Sequence, residues 1–76
     1  MAAESLSGRI LRHIRVQMAI KNWKQIDLAA RMGKKGAWVS KIMAGRIKLR
    51  VDDVSEFARA LEVSEDTLLR GEGKRG

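Results

Sequence analysis

QIDLAARMGKKGAWVSKIMAG, residues 25–45, decides the fold, because its small, apolar and glycine positions fall where two helices meeting at a tight turn need them. The first half predicts a helix from about Lys24 to Met32. Ile26, Leu28, Ala29 and Met32 recur at helical spacing, with Leu28, Ala29 and Met32 as the inner stripe. Ala29 stands where a second helix should cross, and a bare methyl lets two backbones approach closely at a steep angle. Gly33 follows the last apolar residue and can take the left-handed backbone that ends a helix. After Lys34 and Lys35 a second helix is expected from about Gly36 to Ala44, burying Val39 and Ile42 and turning Ala37, Ser40, Lys41 and Ala44 outward. Gly45 is the second stop, and Met43 fits either core or rim.

Upstream, Ser5 or Ser7 can cap a helix running to about Lys21, with Leu6, Ile10, Leu11, Ile14 and Met18 on one side. Arg9, Arg12 and Arg15 lie outside that stripe, placed for phosphate or for plain solubility, and His13 reads as a partly exposed helix residue. Asn22 marks the stop, since Asn tolerates a left-handed backbone. Trp23, just before the next helix, is expected to staple onto its first turn as part of the core. Lys24 brings a cation to a positive helix end, an unfavourable arrangement unless an anion sits nearby.

Downstream, Arg46, Lys48 and Arg50 alternate with Ile47, Leu49 and Val51. The run is too short and isolated for a paired strand, so it reads as a loop with apolar residues inward and cations outward. A fourth helix is expected from about Val51 to Leu61, with Asp52 and Asp53 at its positive end and Val54, Phe57, Ala58 and Leu61 buried. Ser64 should cap a last short helix, SEDTLLR, with Leu68 and Leu69 as its apolar pair. The fold class is therefore all-α: five helices in one compact domain over 6–70, a disordered start at 1–5 and a flexible basic tail at 71–76.

Composition narrows the function. The 76 residues suffice for one small domain with a limited core, which help from a second subunit would complement. There is no cysteine, hence no disulfide framework or thiolate metal site, and one histidine cannot build a metal site alone. No nucleophile paired with a base, carboxylate pair in an apolar setting, or phosphate loop is present, so neither catalysis nor a cofactor is expected. No apolar run is long enough to span a bilayer, and MAAES lacks the basic start of a signal peptide; a cytoplasmic, bacterial or phage-encoded chain is the expectation. The net charge of +7 is unevenly distributed: residues 5–51 hold twelve lysines and arginines against one acid, Asp27, whereas residues 52–72 hold seven acids against Arg59 and Arg70. Such a molecule turns one side toward a polyanion.

Gln25, Leu28, Ala29, Gly33, Val39, Ser40, Ile42 and Gly45 stand at the spacing of Q..LA...G.....VS.I..G. In this the chain resembles the Cro and phage-repressor (XRE-like) helix-turn-helix family. Val54, Phe57, Ala58, Ala60, Leu61, Val63, Ser64, Leu68 and Leu69 look like that family's fourth and fifth helices, so the resemblance runs from about Leu6 to Leu69. It implies a repressor-like DNA-binding domain whose helices 2 and 3 form the helix-turn-helix, the third lying in the major groove of double-stranded DNA. Base readout would fall to Gly36, Ala37, Ser40, Lys41 and Ala44, with Ala37 suited to a thymine methyl and Lys41 to guanine acceptors. Phosphate contacts would fall to Lys24, Gln25, Lys34, Lys35, Arg46, Lys48 and Arg50.

The sequence also departs from the family pattern. Lys24 and Lys35 replace capping hydroxyls, Gly36 replaces a frequent glutamine, Leu49 a frequent proline, and Glu62 a common glycine. Trp38 lies between the buried and outward faces, open to packing, to stacking along a sugar-phosphate edge, or to anchoring another protein. Leu68 and Leu69 could be core or part of a two-fold contact. The leading expectation is a transcriptional regulator, a repressor acting as a homodimer on a palindromic operator and associated with the nucleoid. The alternative is a protein-interaction module, such as an antitoxin or antirepressor, that uses the Trp38 region.

Overall fold

The computed structural model describes residues 5–71, and among these every regular element is helical. The helices are α1 (Leu6–Lys21), α2 (Gln25–Met32), α3 (Gly36–Met43), α4 (Val51–Leu61) and α5 (Glu65–Arg70). Of the disordered start expected at 1–5 and the flexible tail expected at 71–76, all but Ser5 and Gly71 lies outside the described residues.

One hydrogen-bond pattern ends four of the five helices. Asn22, Gly33, Gly45 and Glu62 each have positive φ. In each case that residue's N–H donates three residues back and the next N–H five back, for example Gly33 to Ala30 at 3.2 Å and Lys34 to Ala29 at 2.9 Å. This double closure satisfies carbonyls that a helix end would otherwise leave open, and it reverses the chain within very few residues. Glycine adopts the conformation at little steric cost, but Glu62, at φ 61° and ψ 41°, bears the penalty of a Cβ in the left-handed region. Glu62→Gly should therefore stabilise the fold by about 0.5–1 kcal/mol, seen as a melting temperature several degrees higher in thermal denaturation. A lower melting temperature would mean that Glu62 gains more from its surroundings than its backbone loses.

Helix starts divide into two kinds. Ser5 Oγ accepts from the Gly8 N–H at 3.0 Å and Ser64 Oγ from the Thr67 N–H at 3.1 Å, so α1 and α5 carry ordinary hydroxyl caps. The middle three helices have cationic residues there instead, namely Lys24, Lys35 and Arg50. The Lys24 and Arg50 amides donate to the carboxylates of Asp27 and Asp53, at 2.8 and 2.9 Å. The anion required beside Lys24 is thus already supplied within the chain, by a carboxylate in the third helical position. α3 has no such partner.

The core is continuous through all five helices. Ile10, Leu11, Ile14 and Met18 of α1 meet Leu28 and Ala29, then Val39, Ile42 and Met43, then Phe57, Ala58 and Leu61, and finally Leu68. α1 packs chiefly on α5, and α2 on α3 and α4. Ala29 and Val39, one on each side of the α2–α3 corner, are both almost fully buried, as the close crossing requires.

Three positions, Leu6, Val51 and His13, differ from the sequence reading, and Met43, which it left open, is decided. Met43 belongs to the core, whereas Leu6 is 59% and Val51 84% exposed. The alternation at 47–51 thus breaks when helical geometry begins: Ile47 and Leu49 pack on the core, but Val51 opens α4 and faces out. His13 is buried, because α5 covers that side of α1. Its Nδ1 donates to the Leu68 carbonyl at 2.6 Å, a carbonyl being able only to accept. Gly71 (φ 101°) closes over the other edge of the ring, where an added Cβ would come within 3.0 Å of Nε2.

Candidate nucleic-acid interface

Burial of Val39 and Ile42 at 0% exposure fixes the rotation of α3. Ala37, Ser40, Lys41 and Ala44 are consequently solvent-exposed, while Gly36 at the first helical position is partly covered. A Cβ added to Gly36 would meet nothing within 4 Å, so the chain itself imposes no steric need for glycine here. Lys35 precedes it with no side-chain cap, and the amides of Gly36 and Ala37, at the open start of a helix, point outward as donors.

Cations frame this face. Lys24, Gln25, Lys34, Lys35, Arg46, Lys48 and Arg50 are all exposed, at the starts of α2, α3 and α4 or in the 45–50 loop. Lys35, Lys41, Arg46 and Lys48 form no ion pair among the described residues, leaving their charge available to an external anion. Lys34 differs. Its Nζ lies 3.7 Å from Glu56 Oε1 and 5.1 Å from the Trp38 ring centroid, which ties the turn to α4 and partly neutralises it.

Of the three options for Trp38, packing within the chain is present in the fold. Its ring stacks on Phe57 with centroids 6.0 Å apart and planes 16° from parallel, and it is half-buried against the core. Leu68 is wholly buried, so it cannot be the contact for a partner that its place in an apolar pair suggested; Leu69, at 37% exposure, alone of the two reaches the surface. Trp23 packs on the core as expected and also carries two cations, with the Arg31 guanidinium 4.1 Å and the Lys21 ammonium 5.4 Å from its centroid.

Sequence reasoning missed Arg15. Its Nη2 donates to the Met43 carbonyl at 2.8 Å, so this arginine, expected to meet phosphate or solvent, reaches the last residue of α3. Among the described residues no group of three or more His, Cys, Asp or Glu could hold a metal ion, and no helix is long and apolar enough to cross a membrane.

Two short helices crossing at a left-handed glycine, the second presenting a small polar face ringed by cations, define a helix-turn-helix domain. The family model described as "Helix-turn-helix domain" matches residues 8–70, and the chain belongs to that family, as an XRE-like member. A solved structure described as the hypothetical transcription factor NHTF from Neisseria is similar, with a TM-score of 0.80 at 26% identity, covering 91% of this chain and 80% of that one. Comparison with curated proteins gives no match.

Proposed function

We propose that this chain is a sequence-specific, double-stranded DNA-binding transcriptional regulator, a repressor that inserts α3 into the major groove and binds a palindromic operator as a homodimer. The observation that carries this reading is the outward row Ala37, Ser40, Lys41 and Ala44, held opposite the fully buried Val39 and Ile42 and flanked by unpaired cations. Membership of the helix-turn-helix family supports DNA as the partner, as does likeness to a protein described as a transcription factor. Gly36, Ala37, Ser40, Lys41 and Ala44 face the bases. Lys24, Gln25, Lys34, Lys35, Arg46, Lys48 and Arg50 face the phosphates. Half-sites lie about one helical turn, roughly 34 Å, apart. Leu69 is the large apolar residue of α5 left exposed for a two-fold contact.

Selection of binding sites from random duplexes at two salt concentrations tests the proposal, and a two-fold motif should be enriched. Recovery of no motif at either salt would remove sequence-specific binding from the reading. The division of labour has its own check by fluorescence anisotropy. Lys41→Ala should relax preference at one base pair by about 1–3 kcal/mol, whereas Arg46→Ala should weaken all duplexes alike and lower the salt slope by about one. Equal losses for both variants on every duplex would refute that division.

A further inference from the structure

The last four carbonyls of α3 are all satisfied, but not by the same kind of donor. Ala44 N–H closes on Ser40 at 2.9 Å, Arg46 on Lys41 at 2.8 Å and Gly45 on Ile42 at 3.0 Å, all within the turn itself. The fourth, Met43, accepts from Arg15 of α1, 28 residues away in sequence, at 2.8 Å in a partly buried setting. α1 packs mainly on α5 and α4, so this bond joins α3 to a helix with which it shares little packing. A guanidinium also matches the partial negative charge at a helix carboxyl end. α3 starts without a side-chain cap and has only eight residues, so its position depends on tertiary contacts: its buried face fixes the rotation, and the Arg15 bond holds its carboxyl end.

We infer that Arg15 is a positioning residue for base readout: it holds the carboxyl end of α3 against α1, so that Ser40 and Lys41 meet base edges in one register. This rests on the proposed function above, and it assigns Arg15 to no DNA contact. Nonspecific binding, which depends on cations around the face rather than on the angle of α3, should be nearly indifferent to the bond.

The test compares Arg15→Met and Arg15→Lys with the parent, each in the Glu62→Gly background if that change stabilises as expected, and otherwise at a temperature where all stay folded. Anisotropy is read on the selected duplex and on a random duplex at several salt concentrations. Arg15→Met should lose about tenfold on the selected duplex and less than about twofold on the random one, with the salt slope unchanged. Arg15→Lys, which keeps a charged donor, should recover part of the loss. Hydrogen exchange without DNA should show faster exchange of α3 amides in Arg15→Met than in the parent. A parallel loss on both duplexes with a slope lower by about one would make Arg15 a phosphate contact instead. An unchanged ratio of specific to nonspecific affinity would reduce it to a structural tie. Should the parent prefer no duplex, the proposed function fails on its own, and unaltered α3 exchange in Arg15→Met would then dispose of the positioning role separately.

Discussion

Phe57→Ala is expected to cost about 3–5 kcal/mol of stability, the range for truncating a fully buried aromatic side chain. Phe57 is among the largest fully buried residues, and its ring supports Trp38 in α3. Its loss removes apolar burial, leaves a cavity and ends an aromatic contact that contributes about 0.5–1.5 kcal/mol beyond its area. Small domains hold only about 0.05–0.15 kcal/mol per residue in total, about 4–11 kcal/mol for these 76 residues, so the variant should lose a large share of its stability. Urea denaturation followed by far-ultraviolet circular dichroism measures this, with Phe57→Leu as the milder comparison. If Phe57→Ala shifts stability by less than about 1 kcal/mol, Phe57 is not the core residue that its full burial indicates. In a Trp23→Phe background, Trp38 fluorescence reports on the same contact locally, since without its stacking partner the indole should become more solvent-exposed.

The helices were legible where the chain punctuates itself. Asn22, Gly33, Gly45 and Ser64 mark their stops and starts, and the inner stripes Leu28–Ala29 and Val39–Ile42 carry the crossing. These are local signals, and local signals survive folding when tertiary packing agrees with them. The exposed face of α3 followed from the same periodicity, because burying Val39 and Ile42 leaves Ala37, Ser40, Lys41 and Ala44 no other side.

Other features required the assembled domain. His13 lies beside a stripe whose width depends on α5, more than fifty residues further along, covering it. Arg15 and Met43 are joined only because α1 passes the end of α3, and nothing in the spacing of either segment signals that. Val51 faces out because the period-two alternation ends one residue earlier, where helical geometry begins. The carboxylates of Asp27 and Asp53 are a different case. Each stands three residues after a cationic residue at a helix start, a visible pattern whose meaning is that two of the three cationic starts already have their anion.

That asymmetry yields the second large effect. Lys35→Asp should raise stability and abolish tight DNA binding together. Lys35 occupies the start of α3 with extended backbone (φ −77°, ψ 147°) and caps nothing. An aspartate in this geometry can accept from the exposed amides of the first turn and oppose the helix dipole, stabilising the fold by about 0.5–2 kcal/mol. On the proposed reading, the same carboxylate stands where a phosphate should bind and occupies the amides that phosphate would use. Removing a cation and placing an anion against a polyanion costs several kcal/mol, so affinity should fall by at least about a hundredfold on every duplex. Lys35→Ala, which removes the charge without capping the helix, should weaken binding by much less and leave stability nearly unchanged. Thermal denaturation and anisotropy on the same preparations separate the two effects, because a folding defect would move them in the same direction. If Lys35→Asp melts higher yet binds as the parent does, the start of α3 does not face the phosphate backbone, and the docking of α3 proposed here is wrong. If it binds weakly but also melts lower, the loss belongs to the fold, and α3 does not begin at Gly36 with Lys35 poised to cap it.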